Sequence, residues 1–265
     1  MRESVDRRVL GAFRCVDNVT GKSVVSPLAV AALPLSVRPN RSGIYVIFRA
    51  PGLDALTNQF DPTLPGPAAV SFEISVQDPS RQYLPRRARV QAPQKLPPAI
   101  DPSQPFDPAK VLSDPLVVFN PQRVPLYPSP AAPLSPNWAV IHISVISSGV
   151  VPLAGLPWAV VQVARTDNNT VLATTVTDAR GLGLLAIAGL GPEVSGSDTG
   201  SVTQATVGIT LKGWFDPSVQ QQPNTWIPNP DDILNNLGSA SLKTGTLTMQ
   251  IGPGQTLNRN LAISV

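Results

Sequence analysis

The segment Val70-Ser-Phe-Glu-Ile-Ser-Val-Gln77 decides the fold class, because apolar and polar side chains alternate along its whole length. Successive side chains of a β-strand point to opposite faces of the sheet. The segment therefore predicts a strand that buries Val70, Phe72, Ile74 and Val76 on one face and exposes Glu73 on the other.

Residues 139–146 repeat this pattern, since Ala139, Ile141, Ile143 and Val145 alternate with other side chains. Shorter apolar runs between turn residues fill much of the remaining chain, and 30 prolines with 19 glycines disfavour long helices. One short helix is predicted at 231–237, because aspartates suit a helix start. The sequence thus predicts an all-β protein with strands at residues 10–17, 23–32, 43–49, 69–77, 87–92, 139–146, 159–165, 171–177, 183–188, 204–214, 244–251 and 257–265.

Two sections with similar patterns of strands and turns flank a section dominated by proline. Residues 93–136 contain repeated X-Pro pairs, which favour an extended, semi-rigid spacer. A linker of this length inside an ordered chain usually packs on something, and the apolar run at 115–119 is a candidate edge strand. We therefore expect an N-terminal β-sandwich at 1–92, a linker at 93–136 and a C-terminal β-sandwich at 137–265.

The charge and cysteine content limit the class of protein. Apolar residues make up 42% of the chain and charged residues only 14%, against about a quarter in an average soluble domain. The net charge of +3 is small, and no aromatic or glycine-rich RNA-binding signature accompanies it, so no nucleic-acid partner is expected. The single cysteine, Cys15, excludes an intrachain disulfide and suits a reducing compartment.

The turn at Thr177-Asp-Ala-Arg-Gly181, with the apolar strands on either side of it, resembles the carboxypeptidase regulatory-like domain family. The N-terminal section keeps only Arg41-Ser-Gly43 of this pattern. The resemblance implies two tandem sandwiches of the transthyretin or immunoglobulin-like kind. It also implies an accessory module without catalytic residues of its own.

The sequence offers little for catalysis or for metal binding. His142 is the only histidine, and it lies in the middle of a predicted strand, where a surface or interface role is expected rather than that of a general base. One histidine and one cysteine far apart in sequence do not match the usual zinc patterns. Aspartates 54, 61, 231 and 232 do not have the spacing of a calcium loop. We therefore expect a non-enzymatic protein with no catalytic residue, metal or cofactor.

Five residues are candidates for a protein interface. Trp214, Phe215 and Trp226 flank a polar stretch that contains proline, and tryptophan is enriched among the anchors of protein interfaces. The alternative for these aromatic residues is core packing. Arg86 and Arg87 belong to a short basic cluster, which suits an acidic partner surface or a solvated strand edge.

These features together suggest a structural or adaptor protein of a large multiprotein particle. Proteins that combine such a module with a proline-rich segment resemble components of phage tails and of phage-tail-like contractile injection systems, such as a baseplate or attachment component. No secretory signal or membrane-spanning run is recognisable, so we expect synthesis in the cytoplasm and incorporation into such a particle, with other subunits or further copies as partners. The alternative is a carbohydrate- or receptor-binding β-sandwich. The strand at 257–265 suits either pairing with a neighbouring subunit or closure of its own sandwich.

Overall fold

The computed structural model describes residues 9–54, 68–94, 120–149, 154–190, 206–223 and 226–265, and these residues form an all-β protein of the sandwich type. Apart from a 3₁₀ turn at Pro217–Gln221 and one short helix, α1 (Pro230–Leu234), the regular elements of these residues are strands. The strands are β1 (Gly11–Asp17), β2 (Ala29–Ala31), β3 (Ser36–Pro39), β4 (Ile44–Arg49), β5 (Val70–Gln77), β6 (Arg86–Ala92), β7 (Gln122–Leu126), β8 (Ala139–Ser148), β9 (Val160–Arg165), β10 (Val171–Val176), β11 (Leu182–Ile187), β12 (Val207–Phe215), β13 (Lys243–Ile251) and β14 (Thr256–Ser264).

The chain divides into two compact units. Unit 1 comprises residues 1–17, 21–79 and 87–125, and unit 2 comprises residues 18–20, 80–86 and 126–265. The predicted boundaries at residues 92 and 136 remain a prediction. Residues 95–119 of the predicted linker, with the run at 115–119, lie outside the described residues.

Unit 1 contains two small sheets, with strand orders β3-β4-β1-β7 and β2-β5-β6. The alternation that predicted β5 buries Ile74 and Val76, whereas Val70 at the start of the strand is 47% exposed. Phe13 on β1 and Tyr45 on β4 lie opposite each other in an antiparallel register, and their rings stack with centroids 5.1 Å apart. Burial of these apolar side chains drives the folding of the unit.

Unit 2 is a β-sandwich made of a four-stranded sheet, β10-β9-β12-β13, and a three-stranded sheet, β11-β8-β14. Alternate residues of β8 and β12 point inwards, and Ile141, Val145, Ile209 and Leu211 are essentially inaccessible to solvent. Two sheets that each present one apolar face bury both faces by packing together.

The last strand closes this sandwich from within the chain. β14 runs parallel to β8, from Thr256 opposite Val140 to Ser264 opposite Ser148. β13 approaches β14 so closely that a Cβ atom on Gly245 would clash with the carbonyl oxygen of Ala262. β14 is hydrogen-bonded to β8 and lies at the edge of its sheet, so it closes its own sandwich, and pairing of its other side with a neighbouring subunit stays a prediction.

Two strands escape prediction, and one predicted strand is shorter than expected. β3 and β7 each contain a proline, Pro39 and Pro125, and both are edge strands, where the missing N–H group of proline is tolerated. The prediction at 23–32 is wrong for most of its length, since only Ala29–Ala31 forms a strand there and Ser23 makes a single bridge to Val16.

Candidate functional site

A groove with a volume of about 440 Å³ opens on unit 2, and we call it the tryptophan groove. Its volume falls within the range of roughly 300–1,000 Å³ that is usual for small-ligand sites. The side chains that give it its chemical character are those of Pro157, Trp158, Gln220, Gln222, Pro223 and Trp226.

Trp158 forms one wall just before β9. Its backbone has φ of +60°, a left-handed conformation that is an outlier for a bulky residue. Strained backbone of this kind persists only where the surrounding structure imposes it, and it is concentrated at functional sites. Only 9% of Trp158 is exposed, because most of its ring packs into the core of the sandwich.

The opposite wall follows the 3₁₀ turn. Asp216 caps this turn by accepting a hydrogen bond from the backbone N–H of Ser218 at 2.9 Å. Val219 is buried, which anchors the turn and leaves Gln220 and Gln222 exposed. The backbone N–H of Trp226 donates to the carbonyl of Pro223 at 2.8 Å, and the partly buried indole packs against the core.

The turn at Thr177–Gly181, which carried the family resemblance, holds the segment around Trp158 in place by hydrogen bonds. The Thr177 hydroxyl donates to the carbonyl of Leu156 and accepts from the N–H of Ala159, both at 2.9 Å. Asp178 accepts from the backbone N–H groups of Arg180 at 2.8 Å and Leu182 at 3.0 Å. These bonds fix the chain on both sides of Trp158, so the turn has a structural role.

The lining of the groove is uncharged among the residues that the structure describes. Indole and proline rings offer apolar faces, and the two glutamine side chains offer amide donors and acceptors. Such a lining can hold an uncharged ligand by contact and by hydrogen bonds.

A second cluster in unit 2 surrounds Arg86, whose side chain is only 2% exposed. Its guanidinium Nη2 atom lies 2.6 Å from Oδ2 of Asp231 and 3.3 Å from Oδ1 of Asn229. The same guanidinium stands over the ring of Tyr127, 5.7 Å from the ring centroid. A buried cation needs such partners, and Asp231, Asn229 and Tyr127 supply them within unit 2.

Burial raises the pKa of Tyr127 from 10.0 to about 12, against the opposing effect of Arg86, and Asp231 adds to the rise. Between these two values the unfolded chain loses its tyrosine proton while the folded chain keeps it. The contribution of Tyr127 to the free energy of unfolding of unit 2 is therefore fully present below pH 10 and falls by up to about 3 kcal/mol as the pH rises to 12.

In Tyr127→Phe this contribution is absent, so the urea midpoint of the variant should fall less steeply than that of wild type between pH 9 and pH 11.5. Equal slopes in the two proteins would contradict the prediction.

Most of the predicted interface residues are not available as contact surface. Phe215 is fully buried in the sandwich core, and Trp214 is 5% exposed. Trp214 donates its indole N–H to the carbonyl of Leu237 at 3.1 Å, and Lys212 lies over its ring. Arg86 is buried as described above. At these three positions the side chains support the fold, and for Trp214 and Phe215 this agrees with the alternative of core packing.

Arg87 and Trp226 remain accessible. Arg87 lies in unit 1, where its side chain is 35% exposed and its Nη1 atom is 3.1 Å from Oε1 of Glu73. Trp226 is the predicted residue that lies in the groove. Trp158 and the two glutamines were missed, and the only signal in the sequence was the polar Pro217–Gln221 stretch between the tryptophans.

His142 lies on the face of β8 opposite the sandwich core and is half-buried. It lines a shallow hollow of about 540 Å³ together with Asn258, Arg259 and Asn260. Among the residues that the structure describes, no group of three or more His, Cys, Asp or Glu side chains is arranged to hold a metal ion. No described helix is long and apolar enough to span a membrane.

The chain is similar to the solved structure of the Bacillus anthracis TIE protein, with 10% sequence identity and a TM-score of 0.27. The match covers 97% of this chain and 34% of the other, so the chain spans about a third of that structure's length. No family model matches the sequence, and no curated protein matches it.

Proposed function

We propose that this chain is a non-enzymatic structural or adaptor component that docks within a larger multiprotein particle, and that unit 2 makes one of its contacts through the tryptophan groove. The observation that carries the proposal is that Trp158, Trp226 and two glutamine side chains line the same uncharged groove. Aromatic anchors in such surroundings supply much of the binding energy at protein contacts.

The particle that we favour is a phage tail or a phage-tail-like contractile injection apparatus, with the chain as a baseplate or attachment component. This more specific proposal, like membership of the carboxypeptidase regulatory-like family, rests on the resemblance of the Thr177–Gly181 turn and its flanking strands to that family and on the proline-rich segment. The proposed path is synthesis in the cytoplasm followed by incorporation into the particle.

The docking role predicts that the native protein elutes with a particle much larger than its own 28.0 kDa. In Trp226→Ala, a smaller fraction should co-elute, since loss of an aromatic anchor typically costs 2 kcal/mol or more of binding free energy. The measurement is size-exclusion chromatography of native lysate with light scattering and mass spectrometry of the co-eluting chains. Trp138→Phe, outside the groove, is the matched control and should behave as wild type. A free monomer in native lysate would contradict the docking role.

A carbohydrate- or receptor-binding module is the second candidate, and the same groove favours it, because indole faces and amides also suit a neutral sugar. Screening the native protein against an array of neutral glycans separates the two functions. Glycan binding that disappears in Trp226→Ala, by a protein that elutes as a free monomer, would support this second function over the first.

A further inference from the structure

We propose that the tryptophan groove binds a proline-rich segment in the polyproline II conformation, and that residues 101–108 of a second copy of this chain supply it. The inference deepens the docking role proposed above by naming the partner at the groove. It draws on the chemistry of the groove and on the spacing of prolines in the sequence.

Residues 101–108 have the sequence Asp-Pro-Ser-Gln-Pro-Phe-Asp-Pro, so Pro102, Pro105 and Pro108 recur at every third position. A polyproline II helix has three residues per turn. In that conformation the three prolines share one face, and Asp101, Gln104 and Asp107 share another. Residues 95–119 lie outside the described part of the chain, so only the sequence of residues 101–108 is used for the proposed ligand.

The groove offers what the proline face requires. Proline-rich segments dock in grooves lined by aromatic side chains, because their rings pack on flat apolar surfaces and their backbone is already extended. Trp226 provides most of such a surface, the small exposed part of Trp158 adds to it, and Pro157 and Pro223 extend it. An uncharged lining suits the uncharged proline face, with the two aspartates on a different face of the helix.

The glutamines meet a second requirement. A polyproline II segment makes no internal hydrogen bonds, so its carbonyl groups need donors from solvent or from a partner. The exposed side chains of Gln220 and Gln222 carry amide donors at the rim of the groove. A volume of about 440 Å³ holds a few residues of extended peptide rather than a folded domain.

A second copy is the source that fits a repeated assembly. Each copy carries both the groove and the segment, so one copy can bind the next through two different surfaces. Head-to-tail contacts of this kind produce rings or filaments. The inference therefore links a small groove to a multi-copy particle.

The test uses the full-length protein and a synthetic peptide of residues 99–110, with binding followed by tryptophan fluorescence and by calorimetry. We expect saturable binding to wild type and to Trp138→Phe, and at least tenfold weaker binding to Trp226→Ala and to Gln222→Ala. The side chain of Gln222 is exposed, so Gln222→Ala should fold normally and still tests the groove if Trp226→Ala fails to fold. A peptide with all three prolines replaced by alanine should not bind.

The second arm measures self-association of the full chain by sedimentation. Concentration-dependent association should be present in wild type and lost in the triple variant Pro102→Ala, Pro105→Ala, Pro108→Ala. Any of three results would overturn the inference. The peptide does not bind, or it binds equally to Trp226→Ala, Gln222→Ala and wild type, or the groove binds neutral glycans in place of the peptide. A native particle without peptide binding would refute only the choice of partner, whereas peptide binding by a protein that joins no particle would refute only the docking role.

Discussion

Gly181→Ala unfolds unit 2 at a markedly lower urea concentration than wild type, because this position combines a left-handed backbone with close backbone packing. Gly181 has φ of +81°, which costs a residue with a Cβ atom roughly 1–2 kcal/mol. A Cβ atom there would also lie 2.7 Å from both the N atom of Leu156 and the carbonyl oxygen of Val145. Backbone atoms cannot rotate away as a flexible side chain can.

The displaced groups are themselves hydrogen-bonded. The N–H of Val145 donates to the carbonyl of Gly181, and the N–H of Leu156 donates to the carbonyl of Val145, both at 2.8 Å. Shifting this backbone therefore strains the join between β8 and the segment that leads to Trp158. Overpacking adds about 1–3 kcal/mol, so the total loss of unfolding free energy should be about 3 kcal/mol or more.

Gly189→Ala is the matched control for this variant. Gly189 has φ of +77°, but a Cβ atom there would meet nothing within 4 Å. It should therefore lose only the conformational part, about 1–2 kcal/mol. All four tryptophans belong to unit 2, so their fluorescence in urea reports the unfolding of this unit alone. Equal losses in the two variants would show that the close packing around Gly181 contributes nothing.

The two glycines show what the sequence can and cannot reveal. The Thr-Asp-x-x-Gly pattern predicts a turn between two strands, and β10 and β11 lie on either side of it. The pattern does not reveal that the turn packs against Gly155 and Leu156, because that contact joins residues more than twenty positions apart. Gly155 is also required by this packing, since a Cβ atom on it would clash with the carbonyl oxygen of Arg180.

Strand prediction succeeded where one face of the strand is buried and failed at the two edge strands that contain proline. β8 and β5 follow their alternation because a shift by one residue would expose their apolar set. β3 and β7 carry prolines and little alternation, so only their neighbours in the sheet identify them as strands. Edge position is a property of the assembled sheet, which the local sequence does not encode.

The candidate site was predictable only in part, for a similar reason. Trp226 lies in a polar stretch with prolines, and this composition indicates an accessible loop. Trp214 lies in the same neighbourhood, but the chain after α1 covers it and its indole N–H bonds to Leu237. The sequence around Trp158 did not indicate a site, since the place of Trp158 in the groove depends on its own backbone φ and on the Thr177–Gly181 turn.

The Arg86 cluster is the position where sequence interpretation differs most from the structure. Two adjacent arginines, Arg86 and Arg87, indicate a basic surface, yet successive residues of a strand face opposite ways, and Arg86 points inwards. An arginine cannot escape burial by losing its proton, because the guanidinium group stays charged in proteins. It must therefore find its partners from elsewhere in the chain.

Arg86→Met should lower the free energy of unfolding of unit 2 by about 3 kcal/mol, at the lower end of the range for breaking a buried ion pair. The lower end applies because the side chain of Asp231 is 37% exposed and water can solvate it once Arg86 is gone. Asp231→Asn should cost at least as much, since it leaves the buried guanidinium without its closest anionic partner. Urea unfolding followed by tryptophan fluorescence measures both variants.

Arg165→Met is the control, because Arg165 also belongs to unit 2 and pairs with a carboxylate at 2.7 Å, that of Asp167, but on the surface. Its urea midpoint should stay close to that of wild type, since exposed ion pairs contribute little. The double variant Arg86→Met, Asp231→Asn should lose less than the sum of the two single variants, because neither partner is then left as an unpaired charge. If Arg86→Met behaved like Arg165→Met, or if the losses simply added, the buried pair of Arg86 and Asp231 would not be what stabilises unit 2 at this position.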